Sequence, residues 1–171
     1  MASDLRRCVA SIKPYADRII VVEGLFGKHW RKGANYQSDY STDNTYQTAL
    51  ELGCEVIHCH GLLQNEQRDL YLRGREGDVY FVIDADMTLE GTLDKQAMLY
   101  GEFDHWAAYV EDPNGKRNIF LWAYRHIGTQ PRHHSGNILE DGYGKLMDGS
   151  YPKGDILTNI YLKHYNMQGR A

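Results

Sequence analysis

Val79-Tyr80-Phe81-Val82-Ile83-Asp84-Ala85-Asp86-Met87-Thr88 decides the fold, because an apolar run breaks there into two carboxylates one residue apart. The run from Val79 to Ile83 has the β-branched and aromatic content of a buried strand. Side chains at i and i+2 of an extended chain share a face, so Asp84 and Asp86 are expected to leave the strand end on one side, separated only by small Ala85. Two adjacent carboxylates in a cleft repel each other, and a Mg²⁺ or Mn²⁺ shared with substrate phosphates relieves that repulsion. Aspartate also favours the turn after a strand, which is the simpler reading. Charge at the end of so apolar a segment argues for the cation site.

Upstream of this segment helix and strand alternate. Leu5, Val9 and Ile12 recur at helical spacing after a cap at Ser3 or Asp4, and Pro14 closes that helix. Residues 18–23 read as a strand stopped by Gly24, residues 42–52 as a helix ended by Gly53, residues 54–59 as a strand and residues 63–75 as a helix. That order predicts a parallel sheet covered by helices. Downstream, residues 105–110 and 118–124 read as strands joined through Asp112-Pro113-Asn114-Gly115, whose Asn-Gly step signals a hairpin. A second hairpin is expected around Glu140-Asp141-Gly142, and residues 156–162 read as a final strand or a mixed segment. The expected class is α/β, with an open, mostly parallel sheet and an antiparallel C-terminal part.

At 171 residues the chain is expected to form one domain, residues 1–171, with a real core. A net charge of −4 without a polybasic block argues against nucleic acid or an anionic membrane surface as principal partner. No apolar run approaches the length of a membrane span, so a soluble, cytoplasmic protein with no transmembrane segment is expected. Cys8, Cys54 and Cys59 are odd in number and form no CxxC pair, which argues against a disulfide framework and a structural zinc. The thirteen tyrosines fit either a sugar-binding cleft or ordinary core and rim packing.

Three further features fall where the strand ends of an open α/β sheet face a ligand. Glu23 ends its strand as an acid suited to a ribose hydroxyl or a base edge. Ser41-Thr42-Asp43-Asn44-Thr45 opens a helix, where side-chain oxygens cap free N–H groups and the positive helix end favours anions. Arg68 has the donor fork to reach a phosphate, although a solvated helix charge is the commoner role for an isolated arginine.

Taken in order, Cys8-Val9-Ala10-Ser11-Ile12, Pro14-Tyr15-Ala16-Asp17, Ile19-Ile20-Val21-Val22-Glu23-Gly24, Ser41-Thr42-Asp43-Asn44-Thr45, Gln67-Arg68-Asp69 and Asp84-Ala85-Asp86 resemble the family-two glycosyltransferases of the GT-A fold. The resemblance covers roughly residues 5–90 and is looser beyond them. It implies a transferase that moves a sugar from a nucleotide-sugar donor to an acceptor hydroxyl, with inversion and with Mn²⁺ or Mg²⁺ as cofactor. Glu23, Asp43, Arg68 and Asp84 would hold the nucleotide. Asp86 would hold the metal, with Asp84 toward the ribose or a metal-bound water, and His164 resembles the late histidine that completes the metal shell. Glu140 or Asp141 resembles the paired acid that serves as base, with Asp104, Glu111 and Asp112 as other candidates. Of His133 and His134 only one can enter the cleft from a strand, and His134 is favoured.

Two departures accompany the resemblance. The first helix is not preceded by the usual first strand, so the nucleotide-base pocket is expected to lie open on one side. The exposed strand edge beside it invites a homo-oligomer. An insertion at residues 25–39 brings Lys28, His29, Arg31 and Lys32, a basic loop that could close over a diphosphate. The rival is the DxDxT opening of haloacid-dehalogenase-type phosphatases, which Asp84 to Leu89 also resembles. That motif normally lies on the first strand, whereas here three α/β elements precede it. A non-catalytic nucleotide- or sugar-binding module is third.

Overall fold

A computed structural model of the chain describes residues 2–24, 43–59, 62, 64–70, 79–103, 105–125, 132–135, 138–140, 146–147 and 154–165. Leu5, Cys8, Val9 and Ile12 are buried along one stripe of α1 (Ala2–Ile12), the i, i+3, i+4, i+7 spacing of an amphipathic helix. The helix starts earlier than the expected cap, and Asp4 lies inside its first turn. There its negative charge suits the positive helix end.

The elements that follow are β1 (Ile20–Glu23), α2 (Thr45–Glu51), β2 (Glu55–His58), α3 (Gln64–Asp69), β3 (Val79–Phe81), β4 (Met87–Gly91), α4 (Lys95–Tyr100), β5 (His105–Glu111), β6 (Arg117–Arg125), β7 (Arg132–Ser135), β8 (Ile138–Glu140), β9 (Leu146–Met147) and β10 (Gly154–His164). The chain is mixed α/β. β1 and β2 pair in parallel as a two-stranded sheet, and β7, β8 and β9 form a three-stranded antiparallel one. The five-stranded sheet has the order β3-β6-β5-β10-β4.

That order corrects the expected mostly parallel sheet. Only β5 and β10 run parallel within the five strands, while β3 pairs antiparallel with β6 and β4 antiparallel with β10. Alternation of helix and strand fixes direction only when successive strands share one sheet, and here β3 leaves the β1–β2 pair for a C-terminal partner. Among the described residues β1 has no ladder partner on the side away from β2, and β3 has none on the side away from β6.

β3 and β4 lie on opposite edges of the five-stranded sheet, yet only residues 82–86 separate them. The six-step path from Phe81 to Met87 reaches roughly 20 Å fully extended. Four strand spacings of about 4.8 Å already take up about 19 Å of that in a flat sheet. A turn closed by the Met87 N–H on the Asp84 carbonyl at 2.9 Å shortens the path further. The sheet must therefore curl, and the double-aspartate segment is the strap that joins its edges.

The larger core lies against this sheet, with Trp122, Trp106, Leu162, Ile160, Met98 and Met87 among its fully buried members. A smaller cluster of Leu5, Val9, Ala49 and Cys54 joins α1 to the β1–β2 side. Ile19 packs against both, so α1 and the start of β1 bridge the sheets. α1 is tied to β4 directly, since the Ser11 hydroxyl accepts the Leu89 N–H at 3.0 Å.

Candidate functional site

The curl places the turn at Asp84-Ala85-Asp86 beside the end of β10. Met87 lies opposite His164 in the β4–β10 ladder, and the Tyr165 N–H donates to the Asp86 carbonyl at 3.0 Å. Along β10 the side chains of Ile160, Leu162 and His164 are buried in alternation, so the imidazole continues an apolar stripe. His164 is 2 % exposed and ends that stripe against a carboxylate. Its Nε2 lies 2.9 Å from Asp86 Oδ2, and its Nδ1 lies 3.3 Å from Asp112 Oδ1.

A neutral imidazole carries one N–H and one lone pair. With an acceptor oxygen on each side, one nitrogen can donate and the other needs a second proton or a cation between it and its oxygen. The atoms Asp86 Oδ2 and His164 Nε2 make a donor pair that suits Mn²⁺ or a similar ion. Their 2.9 Å separation also matches two donors that share an octahedral ion at about 2.1 Å each, which stand about 3 Å apart. Among the described residues no group of three or more His, Cys, Asp or Glu gathers around one point, so Asp84 does not join the pair as a third member of such a group. The aspartates lie in a turn rather than at the end of an extended strand, because β3 ends at Phe81.

Around this pair the Arg7 guanidinium lies 4.3 Å from the centre of the Tyr165 ring, and the Lys163 ammonium lies 5.4 Å from it. Arg7 also pairs with Asp4. These cations were not among the sequence candidates, and the one signal for Lys163 was its place beside His164, which Tyr165 follows just past the end of β10.

Glu23 ends β1 as expected, but its side chain is wholly buried and its Oε2 lies 3.0 Å from His58 Nδ1. Beside it Gly24 has a φ of +152°, and a Cβ there would stand 1.8 Å from the Cys59 carbonyl oxygen, so only glycine lets β1 end so close to β2. The Gln67 amide donates to the Gly24 carbonyl at 3.1 Å. Asp43 accepts from the Thr45 N–H at 3.3 Å and from its hydroxyl at 2.5 Å, just ahead of α2. Burial works to raise the Asp43 carboxyl, but the Thr45 hydrogen bonds hold it below its ordinary value.

The remaining sequence candidates have no described side-chain position relative to this site. Arg68 lies in α3, His134 in β7 and Glu140 in β8, each described by its backbone alone. Asp104, Asp141 and the basic loop with Lys28, His29, Arg31 and Lys32 lie outside the described residues. Asp112, weighed in the sequence only as a base, is instead the second neighbour of His164.

Cys8, Cys54 and Cys59 are buried and free. Burial, with the nearby carboxylates of Asp84 and Asp86 adding, pushes the Cys8 thiol from 9.0 up to about 12. The native state therefore keeps its proton where the unfolded chain loses it. This stabilisation is whole below pH 9.0 and is lost as pH rises toward 12, at up to about 1.4 kcal/mol per pH unit. Urea midpoints measured on both sides of pH 9.0 should fall with rising pH. Cys8→Ala should flatten that fall, and an unchanged slope would refute the assignment.

Among the described residues no helix is long and apolar enough to cross a membrane. The sequence matches no known family model and no curated protein.

Proposed function

We propose that the protein is a metal-dependent glycosyltransferase that moves a sugar from a nucleotide-sugar donor to an acceptor hydroxyl, with inversion. The observation that carries this reading is the 2.9 Å approach of His164 Nε2 to Asp86 Oδ2. These residues are 78 positions apart, and the last described strand brings a buried imidazole to the second carboxylate of the double-aspartate turn. Asp86 and His164 would hold a divalent cation whose remaining positions are left to diphosphate oxygens and water. When bound, the cation neutralises charge that develops on the leaving diphosphate.

The chain's own groups supply the rest. The acceptor oxygen attacks the anomeric carbon, its proton passes to a base, and the bond from that carbon to the diphosphate oxygen breaks with its electron pair on the oxygen. Glu140, Asp141 and His134 are the candidates for that base. Arg7, which also pairs with Asp4, and Lys163 lie at the ring of Tyr165, next in sequence to His164, and would favour the approach of an anionic donor. Among the described residues the outer edges of β1 and β3, in two different sheets, have no ladder partner, and a second copy of the chain would pair at such an edge.

The phosphatase reading needs Asp84 as a nucleophile at the end of a strand in a parallel sheet. β3 has an antiparallel neighbour, and the Asp84 carbonyl closes a turn, so that reading gains no support.

A thermal-shift panel of nucleoside diphosphates, with Mn²⁺ and with chelator, tests the proposal. Stabilisation by at least one nucleotide that vanishes with chelator is expected. A saturating nucleotide at a hundred times its Kd adds about 2.7 kcal/mol, well within detection. Hydrolysis of simple phosphomonoesters with no nucleotide effect would favour the phosphatase.

A further inference from the structure

We infer that Asp112 is the positioning residue of the site: it accepts a hydrogen bond from the Nδ1–H of His164, keeps the proton on that nitrogen and so leaves the Nε2 lone pair aimed beside Asp86, ready for a divalent cation. This rests on the metal-dependent reading and says which residue prepares the nitrogen ligand. The imidazole can turn its lone pair to either carboxylate. If Nε2 keeps the proton, it donates to Asp86 at 2.9 Å and no lone pair is left for an ion. A carboxylate behind the ring reverses that preference, because an acceptor fixed at Nδ1 holds the proton there.

Asp112 is built to be such an acceptor. It stands at the turn between β5 and β6, where its carbonyl accepts the Gly115 N–H at 2.8 Å and its own N–H donates to the Lys116 carbonyl at 2.9 Å. Its two carboxylate oxygens are divided between partners. Oδ2 accepts from the Asn118 amide at 3.4 Å, and Oδ1 faces His164 Nδ1 at 3.3 Å. The side chain is 14 % exposed, against 27 % for Asp86, so Asp112 is the more enclosed carboxylate and Asp86 the one open to a ligand. The hairpin holds Asp112 without help from the aspartate turn, so its position is set before an ion arrives.

The test is Mn²⁺ affinity of the whole chain, read by electron paramagnetic resonance of the free ion. Wild type, Asp112→Asn, His164→Gln and the double variant complete a cycle. A neutral amide oxygen accepts more weakly than a carboxylate and holds the Nδ1 proton less firmly, so Asp112→Asn should weaken Mn²⁺ about 10- to 100-fold. The thermal midpoint of the metal-free protein should change little, because the amide oxygen still accepts from His164 and the backbone bonds of the turn remain.

In the His164→Gln background the same substitution should cost nothing further, since there is no ring left to orient. Equal weakening in both backgrounds would mean that Asp112 acts only as a distant charge, and no weakening in either would mean that it does nothing for the ion. Either result overturns the inference while the metal site stands. Wild type that binds no Mn²⁺ would instead remove the metal-dependent reading and this inference with it, and wild type that binds it no better than His164→Gln would remove His164 as a ligand and this inference alone.

Discussion

Asp86→Ala is expected to abolish the Mn²⁺ dependence of nucleoside diphosphate binding and to lower sugar transfer about a thousandfold, the several kcal/mol a metal ion supplies to a developing anion. Two effects combine. The substitution removes the carboxylate that faces His164 Nε2 at 2.9 Å, and it leaves that nitrogen without its partner. His164→Gln removes one neutral donor and keeps both carboxylates, so its loss should be smaller. Asp84→Asn should fall below Asp86→Ala in cost, because Asp84 does not complete a three-residue group with the pair. Initial-rate assays at saturating Mn²⁺ give the ranking. Transfer that survives Asp86→Ala at the wild-type rate would remove Asp86 from the reaction.

Elements fixed by local chemistry were readable in the sequence. Leu5, Val9 and Ile12 announced α1, β-branched runs announced β1 and β2, and Asn114-Gly115 announced the β5–β6 hairpin. The segment at residues 156–162 was readable too, although β10 extends it to Gly154–His164. β4 and α4 were missed. Met87-Thr88-Leu89-Glu90-Gly91 is short, and its first three residues are all buried, so it lacks the alternation that marks a half-buried strand.

The sheet order was not readable, because it depends on pairings between distant segments. β3 takes β6 as its neighbour across more than thirty residues, and no local pattern in Val79-Tyr80-Phe81 names that partner. The site divides the same way. Chemistry singled out Asp86, the family resemblance pointed to His164, and the β4–β10 register juxtaposes them. The link from Asp112 to His164 spans 52 positions and crosses from a hairpin turn to the last described strand. A turn aspartate has an ample local explanation, so nothing in its neighbourhood pointed to the ring it faces.

Trp122→Ala should be the most destabilising single change among the core residues, at about 3–5 kcal/mol. Trp122 is wholly buried on β6, and its ring stacks on Phe81 of β3 with centroids 4.6 Å apart and planes 9° from parallel. Its carbonyl accepts the Val82 N–H at 2.8 Å, the last tie before the strap that carries Asp84 and Asp86. Truncation opens a cavity where β3 is held by only three ladder pairs, so the strap should loosen with the core. Against a total stability of 5–15 kcal/mol for a typical domain, such a loss is a large fraction. Trp122→Phe keeps a stacked ring and removes an indole N–H that has no acceptor among the described residues, so it should cost much less. Denaturant midpoints followed by circular dichroism give both values, and Mn²⁺ affinity of Trp122→Ala at a temperature where it remains folded should fall as well. A midpoint for Trp122→Ala equal to that of Trp122→Phe would mean that the ring is not what fastens β3 to the sheet.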